Sequence, residues 1–417
     1  MSQVPFIEFT EEMRKDYTIL VPSMLPIHFE LMAAAFEKHG YHCVMLKNEN
    51  ANVVNQGVAN VHNDTCYPAL LVVGQFMDAL QSGQYDPHKS ALLLMQTGGG
   101  CRASNYVRLL RKALSESEFN DVPVISINFT GLESHSGFQL TPPFLLDILY
   151  AFLYGDFLMW IYNQARSHEV HQGDSKKALD YCMDYLLRLL NGKGFHHAKK
   201  RYREILTVFN QVELDGKERI KVGIVGEIYM KYAPLGNQHL EDTLVNEGVE
   251  PVVSGVLDFA QYCLYNMQID QKLYGSKALG SIASKVLTHH LAKKQAEMEE
   301  AIEKYSRFVK PTPFTEVIKS GEGVISKGVK MGEGWLLTSE ICELMNQGIY
   351  NVVCAQPFGC LPNHIVAKGM MRKIKDKYPQ SNIVAIDYDS SASPINQMNR
   401  IHLMLENAKM GHFMHEE

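Results

Sequence analysis

The sequence predicts an α/β protein of two doubly wound, parallel-sheet domains with a helical insertion between them. Three observations carry this expectation. The chain has 417 residues, more than one ordinary hydrophobic core holds. Short apolar runs alternate with helical stretches over residues 17–130, and the rhythm resumes from residue 220 onward. Between them, residues 140–215 read as helical throughout, with no strand-like alternation. The predicted units are 1–138, 139–216 and 217–417, the last including a long charged helix near 272–308.

Each element has its own signal. Residues 17–21 are a first apolar run. Pro26 suits the first turn of a helix that ends near Gly40. Residues 41–46 read as the next strand. HNDTCYPALLVVGQFMDAL reads as a loop followed by an amphipathic helix. Residues 91–96 and 122–128 are apolar strands, with a helix over 102–114 between them. Apolar strands separated by helices suggest a parallel sheet covered on both faces. PPFLLDILYAFLYGDFLMWIYNQ is the most apolar stretch, but Asp147 and Asp156 interrupt it and two prolines open it. A membrane span should be cleaner, so a buried or partner-facing helix is expected, with residues 144–163 a basis for dimerisation. The second α/β unit opens with IKVGIVG at 220–226. The helix LEDTLVNEG and a short run at 250–253 follow. A helix near 338–346, a strand at 350–355, a helix over 363–377, a strand at 382–387 and a last helix over 394–409 complete it.

Composition narrows the class. Apolar residues make up 46% and charged residues 21%, a globular profile, and the net charge is −6. That balance argues against nucleic acid or an anionic membrane as the main partner, while leaving room for a local basic patch. The first residues are polar and carry no secretory signal pattern, so a cytoplasmic location with reduced thiols is expected. Eight cysteines in this length are too few for a disulfide scaffold. A special cysteine should then be a ligand or a catalyst.

Three cysteines share one kind of setting. Cys66 lies in HNDTCYPA, Cys101 in TGGGCRAS and Cys360 in QPFGCLPNH. Each is in a Gly- or Pro-marked loop just before a predicted helix, and Cys101 and Cys360 also follow strands. Helix starts present free N–H groups and partial positive charge, which favour thiolate and donate to cluster sulfides. Gly98, Gly99, Gly100 and Gly359 would let backbone approach closely. The competing reading of TGGGC is a phosphate cradle, but no GK[ST] or GxGxxG follows and Arg102 is the nearest cation. Cys43, Cys182, Cys263 and Cys342 read as small packed residues. Cys354 stands between strand interior and ligand. The spacing contains no CxxC pair, so no local metal motif applies.

The segments HNDTCYP, QTGGGCRASNY, VGEIYMKY, GEGWLL, QPFGCLPNH and DYDSSASPINQMNRI resemble the 2-hydroxyacyl-CoA dehydratase family. The nearest branch is the dehydratase-like portion of large fused activase–dehydratase proteins. The resemblance runs from about residue 17 to 405. It implies Rossmann-like domains and a 4Fe–4S cluster held by Cys66, Cys101 and Cys360, with one iron left open. It also implies an ATP-dependent activase as electron donor and an acyl-CoA or similar small substrate. Family members also include reductases, some with a double-cubane cluster. This chain contains no recognisable activase domain or nucleotide site, so a partner protein is expected to supply the electron. Two alternatives remain at this point: an iron–sulfur reductase or electron-transfer component without dehydration, and a cluster-free α/β protein that binds a ligand or partner. A homodimer or heterodimer is expected.

Further residues are candidates at the same loops. Arg102 could balance cluster charge. Glu227 and Tyr229 follow a strand and could form a proton-transfer pair. His364, four residues after Cys360, could act as an acid. Asp387 and Asp389 could cap the next element, and His135 is a loop candidate. His289 and His290 read as solvated.

Overall fold

The computed structural model describes residues 4–62, 64–95, 100–127, 133–275 and 278–413. Their strands form two four-stranded sheets, parallel throughout. The first holds β1 (Thr18–Val21), β2 (His42–Met45), β3 (Ser90–Met95) and β4 (Val124–Ile127), in the order β2-β1-β3-β4. The second holds β5 (Lys221–Gly226), β6 (Glu250–Val252), β7 (Asn351–Pro357) and β8 (Asn382–Tyr388), in the order β6-β5-β7-β8. Leu20 lies between Val44 and Leu92, and Cys354 between Val225 and Ala385. In both sheets the chain steps outward to the second strand, then crosses back past the first. The winding direction therefore reverses between β1 and β3 and between β5 and β7, which opens a crevice at the carboxyl ends of those strands.

The predicted rhythm is present, with sharper boundaries. The described helices that matter here are α1 (Pro26–Lys38), α2 (Ala51–Asn60), α3 (Tyr67–Gln81), α4 (Tyr106–Ser115), α5 (Pro142–His168), α6 (Asp174–Leu190), α7 (Ala198–Phe209), α8 (Ile228–Tyr232), α9 (Val256–Tyr274), α10 (Ala278–Tyr305), α11 (Trp335–Asn346), α12 (Leu361–Val366) and α13 (Pro394–Phe413). The helix expected over 102–114 begins with a 3₁₀ turn, Arg102–Asn105. The helix expected over 363–377 is broken into three pieces. The charged helix expected over 272–308 is α10, which starts later, at Ala278, because Gly275 closes α9 in the left-handed conformation at φ 66°. The expected strand ends at 96 and 128 lie outside the described residues.

One correction concerns α3. Its sequence suggests an amphipathic helix, yet Tyr67 through Leu80 are all buried. α3 is enclosed on every side because α2 crosses its outer face. The crossing needs two glycines. A Cβ on Gly74 would stand 2.0 Å from the Val53 carbonyl oxygen, and one on Gly57 would stand 2.3 Å from that of Leu70. The interior of α3 joins residues of both sheets in one core, including Leu20, Leu92, Ile224 and Ile386.

Residues 139–216 are helical, as expected, but α5, α6 and α7 share one core with the first sheet and α1. They form the second covering layer of that sheet. α5 is long and apolar enough to cross a bilayer, and 67% of its apolar window is buried inside the protein. Its two acids are tied down there. Asp147 takes the ring nitrogens of His39 and His196, each at 2.7 Å. Asp156 accepts from the Val256 and Leu257 amides at the start of α9 and meets His28 Nε2 at 2.8 Å. The face that suggested dimerisation is thus taken up by the chain's own packing.

Two outcomes follow from this packing. Gly74→Ala should lower stability by about 1–3 kcal/mol, since neither backbone at the crossing has room to move. A lower denaturant midpoint at unchanged slope would be the reading. On α11, burial pushes the Glu343 carboxyl up to about 7 from 4.5. The folded chain then keeps a proton that the unfolded chain releases above pH 4.5, so this group costs stability as pH rises from about 4.5 through 7. Glu343→Gln should flatten that fall in the thermal midpoint across the same range.

Candidate functional site

The loops that carry Cys66, Cys101 and Cys360 come close to one another. Cys101 follows β3 and Cys360 follows β7, the strands on the far side of each winding reversal. Cys66 reaches the same place from the loop before α3. Each of the three is the residue that starts its helix: Cys66 for α3, Cys101 for the turn Arg102–Asn105, and Cys360 for α12. The Cys101 sulfur accepts from the Ala103 amide at 3.5 Å.

Backbone contact holds the loops together. The Tyr67 amide donates to the Phe358 carbonyl at 3.0 Å, joining the N-terminal and C-terminal units. Gly359 sits at φ +74°, where a Cβ would come within 3.2 Å of Cys66 Cα and 3.3 Å of its nitrogen. Only glycine fits both demands. Gly332, at φ +59°, lies between the other two loops: a Cβ there would stand 2.9 Å from Pro362 Cγ and 3.8 Å from Cys101 Sγ. The Gly100 amide points to Met331 Sδ at 3.3 Å. Gly99 lies outside the described residues.

Electrostatics at the site run against free thiolates. Burial pushes Cys101 up to about 11 and Cys66 up to about 12, and Cys360 rises beyond the usual thiol range. Glu227 adds to the rise at all three, and Glu333 at Cys101 and Cys360. Glu227 itself is pushed up to about 8, first by burial and then by Glu333. Its Oε2 accepts from the Met230 amide at 3.0 Å, while Glu333 Oε1 accepts from the Ile228 amide at 2.9 Å. The two carboxyls therefore keep a proton near neutral pH. Tyr106, buried on α4, brings its hydroxyl to 3.0 Å from Cys66 Sγ. Whenever that sulfur is deprotonated, the phenol is the donor.

The other candidates fall in several settings. Tyr229 starts α8 beside Glu227, but its buried hydroxyl has no hydrogen-bond partner among the described residues. His364 Nδ1 stands 2.7 Å from the Cys360 carbonyl and its Nε2 stands 2.7 Å from the Gln356 amide nitrogen. A carbonyl only accepts, so Nδ1 carries the proton and the ring braces the Cys360 loop. The Arg102 side chain is exposed. Asp389 accepts from the Ser390 amide and Ser391 Oγ, each at 2.7 Å, within the turn before α13 and not as its cap, while Asp387 pairs with Lys368 at 3.4 Å. His135 accepts the Phe9 amide at 3.0 Å. Cys354 is fully enclosed in β7, and Cys43, Cys182 and Cys342 are buried. Cys263 departs from its expected packing and lies exposed on α9. Glu333 and Tyr106 were not singled out from sequence, although both sit inside the motif segments GEGWLL and QTGGGCRASNY.

Among the described residues, no three His, Cys, Asp or Glu side chains stand together as ligands of a single metal ion. No family model matches the chain, and no curated protein matches it.

The half-buried Cys101 should be the most reactive of the three thiols in metal-free protein. Iodoacetamide labelling followed by peptide mass mapping should modify it before Cys66 and Cys360, with the rate climbing toward its raised pKa. Earlier labelling of Cys66 would contradict the geometry.

Proposed function

We propose that Cys66, Cys101 and Cys360 hold a 4Fe–4S cluster, and that the protein acts on an acyl-CoA or similar small substrate after a low-potential electron arrives from an ATP-dependent protein partner. The observation that carries this reading is the close approach of three loops with helix-starting thiols, with Gly359 pressed against Cys66. The residues fit such a group. Three soft thiols are the donor set that iron–sulfur clusters take. A cluster spreads its thiolates over separate irons, so its ligands need not crowd around one point as those of a single ion do. Burial raises all three thiols, so deprotonation needs the positive charge that bound iron brings. When bound, the cluster supplies electron transfer and, at an iron without a protein thiolate, a Lewis acid for a substrate oxygen.

The chain's own residues have clear tasks around it. The Tyr106 hydroxyl and the Ala103 amide donate toward sulfur. The Glu227–Glu333 pair holds one proton at neutral pH within electrostatic reach of the thiols. Loss of water from a 2-hydroxyacyl thioester sends out the C2 hydroxyl as hydroxide and a proton from C3, and returns the initiating electron. The carboxyl pair is suited to protonate that hydroxide. The reading calls for a reducing, oxygen-poor compartment, as expected for the cytoplasm.

Anaerobic purification and reconstitution test it. The wild-type chain should bind about four irons and turn brown, while Cys66→Ser, Cys101→Ser and Cys360→Ser together should abolish iron binding. Colourless, iron-free protein after anaerobic reconstitution, or a requirement for Cys43, Cys182, Cys263 and Cys342 instead, overturns it. With an ATP-dependent electron donor and 2-hydroxyacyl-CoA, an unsaturated product supports dehydration. Consumption of electrons in proportion to product supports the reductase alternative.

A further inference from the structure

The α9–α10 hairpin buries the wrong side of a helix for a surface that faces only water. On the first half of α10, Ser281 and Ser284 are 2% and 1% exposed against α9. On its outer face Leu279 is 82% exposed, Ile282 58% and Val286 66%. These three lie at i, i+3 and i+7, so they form one stripe. Tyr274, at the end of α9, is 67% exposed as well. A continuous apolar face of this kind marks a surface that is covered in the working state.

The charge around the stripe has one sign. No Asp or Glu occurs between Asp270 and Glu297. Lys272, Lys285, His289, His290 and Lys293 all lie exposed in that interval. The face also continues toward the thiols. A Cβ on Gly328 would touch Leu273 Cδ1 at 3.4 Å, and Lys330 lies 5.7 Å from the Tyr274 ring centroid. Met331, next in that loop, contacts the Gly100 amide beside Cys101, and Met331 is itself exposed.

We infer that this face is the docking surface for a partner protein that presents an apolar helix flanked by carboxylates. The lysines and histidines beside the stripe complement such a partner. A second copy fits less well, because a two-fold contact lays the same basic patch on itself. The inference stands whether or not the thiols bind iron.

The test uses the full chain and two labelled helical peptides of about 20 residues. Both carry the same Leu/Ile stripe, one flanked by Glu and the other by Lys. By fluorescence anisotropy at low salt, the Glu-flanked peptide should bind about ten-fold tighter or better, and added salt should weaken it. Ile282→Asp with Val286→Asp should reduce binding by about ten-fold or more. Lys285→Glu with Lys293→Glu, at exposed positions that leave the fold intact, should shift preference toward the Lys-flanked peptide. Equal binding of the two peptides, or binding unchanged by these substitutions, overturns the inference. So does a wild-type dimer in sedimentation that the same substitutions dissociate, which would assign the face to a second copy. Binding to vesicles of phosphatidylcholine with phosphatidylserine, lost in the same variants, would assign it to a membrane and also overturns it.

Discussion

The bond from the Tyr67 amide to the Phe358 carbonyl, with Gly359 seated on the Cys66 backbone, sets the geometry of everything around it. Two sheets built on the same winding pattern could face each other in many ways. This contact fixes one, because Gly359 reaches Cys66 only in the left-handed conformation and only without a side chain. Gly332 joins the third loop to these two, between Pro362 and Cys101.

The chemistry of that site follows from what the rest of the protein does with buried charge. Some buried carboxylates elsewhere are matched, while others such as Glu343 keep a proton instead. Asp156 caps α9 and meets His28, and Glu340 takes the Lys231 ammonium at 2.9 Å. Between the domains, three thiols and two carboxyls lie together, and among the described residues neither Glu227 nor Glu333 forms an ion pair. Burial first, and then the two carboxyls' own repulsion, favour the protonated forms. Such a site becomes charge-balanced through what it binds or through the protons it keeps, the arrangement on which the proposed function rests.

The hairpin of α9 and α10 adds a second asymmetry. α5, whose apolar sequence suggested a buried or partner-facing helix, is packed between α1, α6 and α7. α10, whose sequence reads as a charged and solvated helix, turns Leu279, Ile282 and Val286 outward instead. Hydropathy along a helix states how much apolar surface exists. It does not state whether the chain itself has a partner layer to cover it. α5 has one, whereas the first half of α10 packs on α9 and leaves Leu279, Ile282 and Val286 exposed.

The fold class was legible because its signals are local. Short apolar runs, Pro26 opening α1, Gly40 closing it, and IKVGIVG opening the second unit each report on their own neighbourhood. The shared setting of Cys66, Cys101 and Cys360 was legible for the same reason, since each loop carries its own Gly or Pro next to a helix start. The enclosure of α3 and the pairing of Glu227 with Glu333 were not legible. Each depends on contact between separate elements: Val53 against Gly74, and Ile228 against Glu333. Local sequence thus decided which loops could hold a reactive thiol. The fold decided that three of them come together, because only packing sets the distance between loops that lie from 35 to nearly 300 residues apart in the chain.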